Sequence, residues 1–69
     1  MLGIWRAKVV AGGKTYVEDL ETLADGKQWA TMKLAELGHD ASAVEWNDRE
    51  RSSFAVPGTG LELHVTRRE

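Results

Sequence analysis

The stretch Ile4-Trp5-Arg6-Ala7-Lys8-Val9-Val10-Ala11-Gly12-Gly13-Lys14-Thr15-Tyr16-Val17-Glu18-Asp19-Leu20 decides the fold. Trp5, Ala7 and Val9 share one parity, and Arg6 and Lys8 the other, which is the period-two pattern of a half-buried strand. Gly12-Gly13 then supplies two adjacent positions that tolerate positive φ, as a tight hairpin turn requires. Tyr16 to Leu20 returns as a second strand. A two-residue loop sets the register by counting: Val10 faces Thr15, Val9 faces Tyr16, Arg6 faces Asp19 and Trp5 faces Leu20. Trp5, Val9, Tyr16 and Leu20 thereby fall on one face and the Arg6–Asp19 pair on the other. Glu18 is the exception, landing on the inner face opposite Ala7. Either it lies at the sheet edge, or a bulge near Val17 resets the alternation.

Working outward, Thr22-Leu23-Ala24-Asp25 has the form of a capping box with Asp in place of Glu. It predicts a helix over 23–37. At 100° per residue Leu23, Gly26, Ala30, Leu34 and Leu37 form one stripe, with Trp29 and Lys33 on its flank. A glycine costs a helix about 1 kcal/mol relative to alanine. Gly26 on the buried stripe therefore predicts a close approach of helix to sheet, and Gly38 is the expected residue just past the helix end.

After His39-Asp40-Ala41, the shared parity of Ser42, Val44 and Trp46 suggests a third strand. Asn47 to Arg51 then reads as a polar turn. Phe54 and Val56 would face inward, Val56-Pro57-Gly58-Thr59 fits a type II turn, and Leu61, Leu63 and Val65 alternate with Glu62, His64 and Thr66. Arg67-Arg68-Glu69 reads as a frayed tail. The expected architecture is one α+β domain spanning 1–69. It has two layers, an antiparallel sheet of four to five strands in the order β-β-α-β-β-β with one helix packed on one face.

Sixty-nine residues suffice for one domain. A chain this short buries roughly 60% of its surface, so its stability depends on core quality or self-association. With no cysteine there is no disulfide, thiolate metal site or cysteine nucleophile. Three tryptophans offer core quality instead, each able to bury about 150–250 Å². The net charge of −2, with both signs interspersed, lacks the global basic signature of a nucleic-acid binder. The apolar start Met1 to Trp5 is too short for a signal segment or a membrane span, which leaves a cytoplasmic protein with no membrane partner as the expectation.

Reactive chemistry finds little support in the sequence. His39 and His64 belong to no metal-ligand spacing. Ser42, Ser52 and Ser53 lack a nucleophile-elbow context. Gly12-Gly13 and Gly58-Thr59-Gly60 open no helix, so neither is a phosphate cradle. The carboxylates are scattered. The expectation is no enzyme, no metal and no cofactor.

Surfaces remain. The outward parity of the first hairpin carries Arg6 and Lys8, with Lys14 at the turn. A basic antiparallel ribbon can enter a DNA groove, but Asp19, Glu45 and Glu62 share or neighbour that face and oppose phosphate. Ile4, Val10 and Val17 place aliphatics on the same outer face, and Met32 and Ala35 lie on the exposed side of the helix. These five are the candidate protein-interface residues.

The series Ile4-Trp5-Arg6-Ala7-Lys8-Val9, Gly13-Lys14-Thr15-Tyr16, Leu20-Glu21-Thr22 and Gln28-Trp29-Ala30 resembles the arm-type DNA-binding domain of phage integrases. The likeness covers residues 4–37, about half the chain. It implies a hairpin-plus-helix unit whose sheet binds the major groove, with Arg6, Lys8 and Lys14 as contacts. The chain departs from that pattern at Leu20, where the family has Phe, and at Thr22-Leu23, where it has Thr-Lys. It also lacks a strand before the helix and adds strands after it. In size and style the chain further resembles small proteins of phages and actinobacteria. The leading expectation is a non-catalytic module that binds an unknown protein or itself, as a phage-type accessory or regulatory protein would. DNA binding through the first hairpin is the alternative.

Overall fold

The computed structural model describes residues 4–42 and 44–68. Residues 1–3 of the apolar start, Ala43 and the terminal Glu69 lie outside them. The elements follow the expected order: β1 (Trp5–Ala11), β2 (Lys14–Leu20), α1 (Leu23–Glu36), β3 (Asn47–Asp48), β4 (Ser52–Gly58) and β5 (Leu61–Arg67). They form a five-stranded antiparallel sheet in the spatial order β2-β1-β5-β4-β3, with α1 packed over β1 and β5 and flanked by β2. The two central strands carry the densest inward run of apolar side chains, Ala7, Val9 and Ala11 facing the helix beside Leu63 and Val65.

The first hairpin has the register obtained by counting, Trp5 opposite Leu20, Arg6 opposite Asp19 and Val9 opposite Tyr16. Gly12 and Gly13 have φ of +59° and +80°, so both central positions of the turn use the freedom only glycine has. The pairing runs without interruption through Val17, so no bulge resets it. Glu18 keeps its inward parity and stays exposed because β2 is the edge strand.

Thr22 caps α1, its Oγ1 accepting the Asp25 backbone N–H at 3.0 Å. At the other end Leu37 is the C-cap rather than a helical residue. Gly38, at φ +91°, donates to Ala35 O, and His39 N–H donates to Leu34 O, which closes the end in a Schellman arrangement. Gly26, Ala30 and Leu34 are the buried stripe. A Cβ built on Gly26 would stand 2.6 Å from Cγ1 of the buried Val65, so the helix backbone does lie against the sheet there.

Five expectations are corrected. Val44 and Trp46 form no strand. The third strand is Asn47–Asp48, inside the segment read as a polar turn. Asn47 and Asp48 pair with Phe54 and Ser53, and the Asp48 carboxylate is tied down from two sides. Its Oδ1 accepts the Ser53 hydroxyl at 2.6 Å and the Lys27 ammonium at 2.8 Å. Lys27 also lies over the Trp46 ring, 5.7 Å from its centroid. Trp46, Val44 and Ala41 thus cover the flank of the core from an irregular segment.

The inward parity of β4 belongs to Ser53 and Ala55, both fully buried, and not to Phe54 and Val56. The second hairpin turns on Thr59-Gly60, with Gly60 at φ +77°. Pro57 and Gly58 sit in β4, where the register shifts between Ala55 and Gly58. A proline has no N–H to give the ladder, and an irregularity in the pairing is where a strand tolerates it. The tail is also anchored: Arg67 is in β5 and its N–H donates to Arg51 O, while Arg68 N–H donates to Ile4 O. The core differs in composition from the expected one. It consists of alanine, valine and leucine, and Trp5, Trp29 and Trp46 are each half-buried around it.

Two predictions follow from the close contact and from the Asp48 ties. Gly26→Ala gains about 1 kcal/mol of helix propensity. It also forces a methyl into Val65, an overpacking that costs about 1–3 kcal/mol. Urea unfolding should show the variant less stable than the parent, with Val65→Ala restoring part of the loss when combined. A variant more stable than the parent would show that the helix rises freely.

The second concerns acid. Hydrogen bonds from Lys27 and then Ser53 hold the Asp48 carboxyl below its ordinary 3.8, and those from Ser42 do the same for Asp40. A depressed carboxyl stabilises the folded chain fully above its ordinary value and loses that contribution as pH falls through the lowered one. Urea midpoints measured from neutral pH to about pH 2 should drop more steeply for the parent than for Asp48→Asn. Parallel curves would remove Asp48 from the acid response.

Candidate interaction surfaces

A single helix covers one face of the sheet. On the other face the even-numbered residues of β1, β4 and β5 and the odd-numbered residues of β2 lie in cross-strand rows. The middle row runs Val17, Lys8, His64, Phe54, Asn47. Beside it lie Thr15, Val10 and Glu62 on one side, and Asp19, Arg6, Thr66 and Ser52 on the other. Val17 is 50% exposed and Ile4, just before β1, 42%. Val10 and Phe54 are half-buried by their neighbours within the sheet.

Phe54 is the member of this face that sequence reasoning placed inside. The Arg49 guanidinium lies over its ring, 5.3 Å from the centroid. The available signal was the small pair Ser53 and Ala55, which suits the close-packed side better than Phe54 and Val56 do.

The three cations proposed for DNA occupy different settings. Arg6 Nε donates to Asp19 Oδ1 at 3.0 Å, and Arg68 reaches Asp19 Oδ2 at 3.3 Å. The Arg6 hydrogen bond, aided by the charges of Arg6 and Arg68, holds the Asp19 carboxyl below its ordinary value. Lys8 and Lys14 have no ion pair among the described residues, and Lys14 stands at the far end of the hairpin beside the turn. Glu62 shares the outer face and contacts His64 Nε2 at 3.1 Å. Asp19 thus answers Arg6 on the sheet itself, and Glu62 adds a second acid to the same face without pairing with Lys8. Glu45 lies in the irregular segment outside any strand.

Met32 and Ala35 are exposed, Met32 at 62%. They lie on the helix layer, so the structure does not join them to Ile4, Val10 and Val17. They line an open groove of about 510 Å³ with Trp29, Lys33 and Glu36. Lys33 Nζ stands 5.5 Å from the Tyr16 ring centroid and 5.7 Å from that of Trp29, and bonds to Glu36 at 2.8 Å. The groove therefore abuts the inner side of edge strand β2.

The titratable side chains form struts. Ser53 is fully buried, and its proton goes to a carboxylate that Lys27 also holds. That arrangement leaves the hydroxyl neither accessible nor activated. Asp40 accepts from both the backbone and hydroxyl of Ser42 and orders the turn after the helix. His39 follows the helix end, while His64 lies on the opposite face of the sheet. Among the described residues no three His, Asp or Glu side chains come together as a metal site. Among them, too, no helix is long and apolar enough to cross a membrane. Comparison with known proteins finds no matching family model, and no significant similarity to a curated protein or a solved structure.

Proposed function

We propose that this chain is a non-catalytic binding module that acts through protein–protein contact, in the manner of a small accessory or regulatory protein. The observation carrying this reading is the uncovered sheet face. It exposes Ile4 and Val17 beside the half-buried Val10 and Phe54, and its charges largely cancel. An open antiparallel face ordinarily alternates polar-out, so aliphatics there favour a partner surface. The hydrogen-bonded strands beneath these side chains are already ordered, so little backbone freedom is lost on binding.

The experiment is affinity capture from host lysate with and without nuclease, run in parallel with a Val10→Glu, Val17→Lys double variant. Protein bands that survive nuclease and disappear with the variant support the reading. Bands unaffected by both substitutions remove the outer face from it. A second reading, DNA binding by the first hairpin, rests on Lys8 and Lys14, the cations free of ion pairs. In that case duplex affinity falls steeply with salt, and Lys8→Ala with Lys14→Ala lowers the slope by about two. A flat titration at low salt excludes it.

A further inference from the structure

The two edges of the sheet differ. β3 has only two residues, and past it β4 presents Val56-Pro57-Gly58, where the register shifts. A short strand, a proline and a bulge all discourage pairing with another chain. β2 at the other edge has seven residues, no proline and an unbroken register with β1. The two-residue turn makes Ala11 and Lys14 the closing hydrogen-bonded pair of the hairpin. Alternation then turns the N–H and C=O of Lys14, Tyr16, Glu18 and Leu20 toward β1. Those of Thr15, Val17 and Asp19 point outward, away from every described strand.

One protective device remains at this edge, the inward-facing charge of Glu18, which penalises any strand that brings no counter-charge. Glu18 has no ion pair among the described residues, and its carboxylate touches only the neighbouring Asp19 N–H. Lys14 lies on the same helix-side face, at the same distance on the other side of Tyr16, and has no ion pair among the described residues either. The edge therefore carries two unanswered charges of opposite sign, placed symmetrically about a tyrosine.

That symmetry selects a partner. Antiparallel pairing of β2 with β2 of a second copy is two-fold symmetric, and facing residues share a side of the sheet, so the axis passes beside one residue of each copy. An axis at Tyr16 sets Glu18 of each copy opposite Lys14 of the other, with the two tyrosines between them. It also makes Thr15 and Val17 of opposite copies the hydrogen-bonded pairs, so the outward N–H and C=O groups of both find partners. An axis at Lys14 or at Glu18 sets like charges together. One at Thr15 sets Lys14 opposite Tyr16, one at Val17 sets Glu18 opposite Tyr16, and one at Asp19 sets Glu18 opposite Leu20. Only the Tyr16 register answers both charges. On the outer face it places the exposed Val17 beside Thr15 of the other copy, in line with Val10 of that copy, a row of β-branched side chains.

We propose that this chain pairs with a second copy of itself through β2, antiparallel and centred on Tyr16, joining the two sheets into one with a Glu18–Lys14 ion pair at each end of the contact. This rests on the protein-binding reading and names the partner and the surface.

The test is sedimentation equilibrium of the full chain at low salt, over a concentration series reaching the millimolar range. The parent should dimerise. Lys14→Glu and Glu18→Lys each turn both attractions into repulsions, and each should weaken dimerisation about tenfold. An equimolar mixture of those two variants has opposite charges at both ends of the contact and should form a mixed dimer as tightly as the parent forms its own. Val17→Pro removes an outward N–H on each side of the axis without touching a β1 hydrogen bond. It should weaken dimerisation about tenfold or more, with circular dichroism showing the parent's fold, and the charge variants decide the matter even where this one fails to fold. A parent that stays monomeric throughout overturns the self-pairing, and the capture experiment on the outer face still decides protein binding. A dimer that no variant weakens overturns β2 as its site. Weakening by both charge variants without recovery in their mixture overturns the Tyr16 register.

Discussion

The contact of Gly26 with Val65 is the constraint on which the rest of the structure depends. With no side chain on the helix at that point, backbone meets the β5 side chain directly. Ala30 continues the approach one turn later, and only at Leu34 does the stripe widen. Close approach demands small partners, and the buried set is accordingly Ala7, Val9, Ala11, Ala55, Leu63 and Val65. A tight layer of small residues excludes water with little chain, which suits a protein of this length.

That tight contact determines where the large side chains go. Indole rings do not fit beneath a helix lying so near the sheet, so Trp29 and Trp46 stand on its two flanks. Each is capped by a lysine, Lys33 over Trp29 and Tyr16, and Lys27 over Trp46. Such lysines cover apolar surface with their stems while their ammonium groups pair at the edge of the layer. The Lys27 flank is closed by β3 through Asp48 and Ser53, whereas the Lys33 flank is open onto the groove and the free β2 edge. The asymmetry between a fastened flank and an open one leaves the helix-side groove open on the side of β2.

Much of this was legible locally. The Gly12-Gly13 hairpin, its register, the Thr22 cap, the Gly38 stop and the Gly26, Ala30 and Leu34 centre of the stripe all depend on neighbours a few residues apart, whereas its outer members Leu23 and Leu37 are only half-buried and Leu37 is the C-cap. The second half resisted for physical reasons. Pro57-Gly58 carries a strong turn signature, yet the bulge absorbs it and the positive φ falls on Gly60. Trp46 and Val44 alternate like a strand but serve as flank packing. Phe54 and Val56 are the larger pair in β4, yet the inward positions go to Ser53 and Ala55. On the outer face the positions of Val10 and Val17 follow from the register of the first hairpin, while that of Phe54 does not, because the parity of β4 is the reverse of the one its larger side chains suggest. The free cations and the neutralised Asp19 required coordinates.

By itself the sequence determined the class, the element order and the pairing of the first hairpin, because turn chemistry, capping and periodicity act over short separations along the chain. Only the tertiary structure decided the strand order, the face given to β4 and the edge position of β2. Those depend on which distant segments compete for the space beneath one helix, and no local pattern encodes that competition.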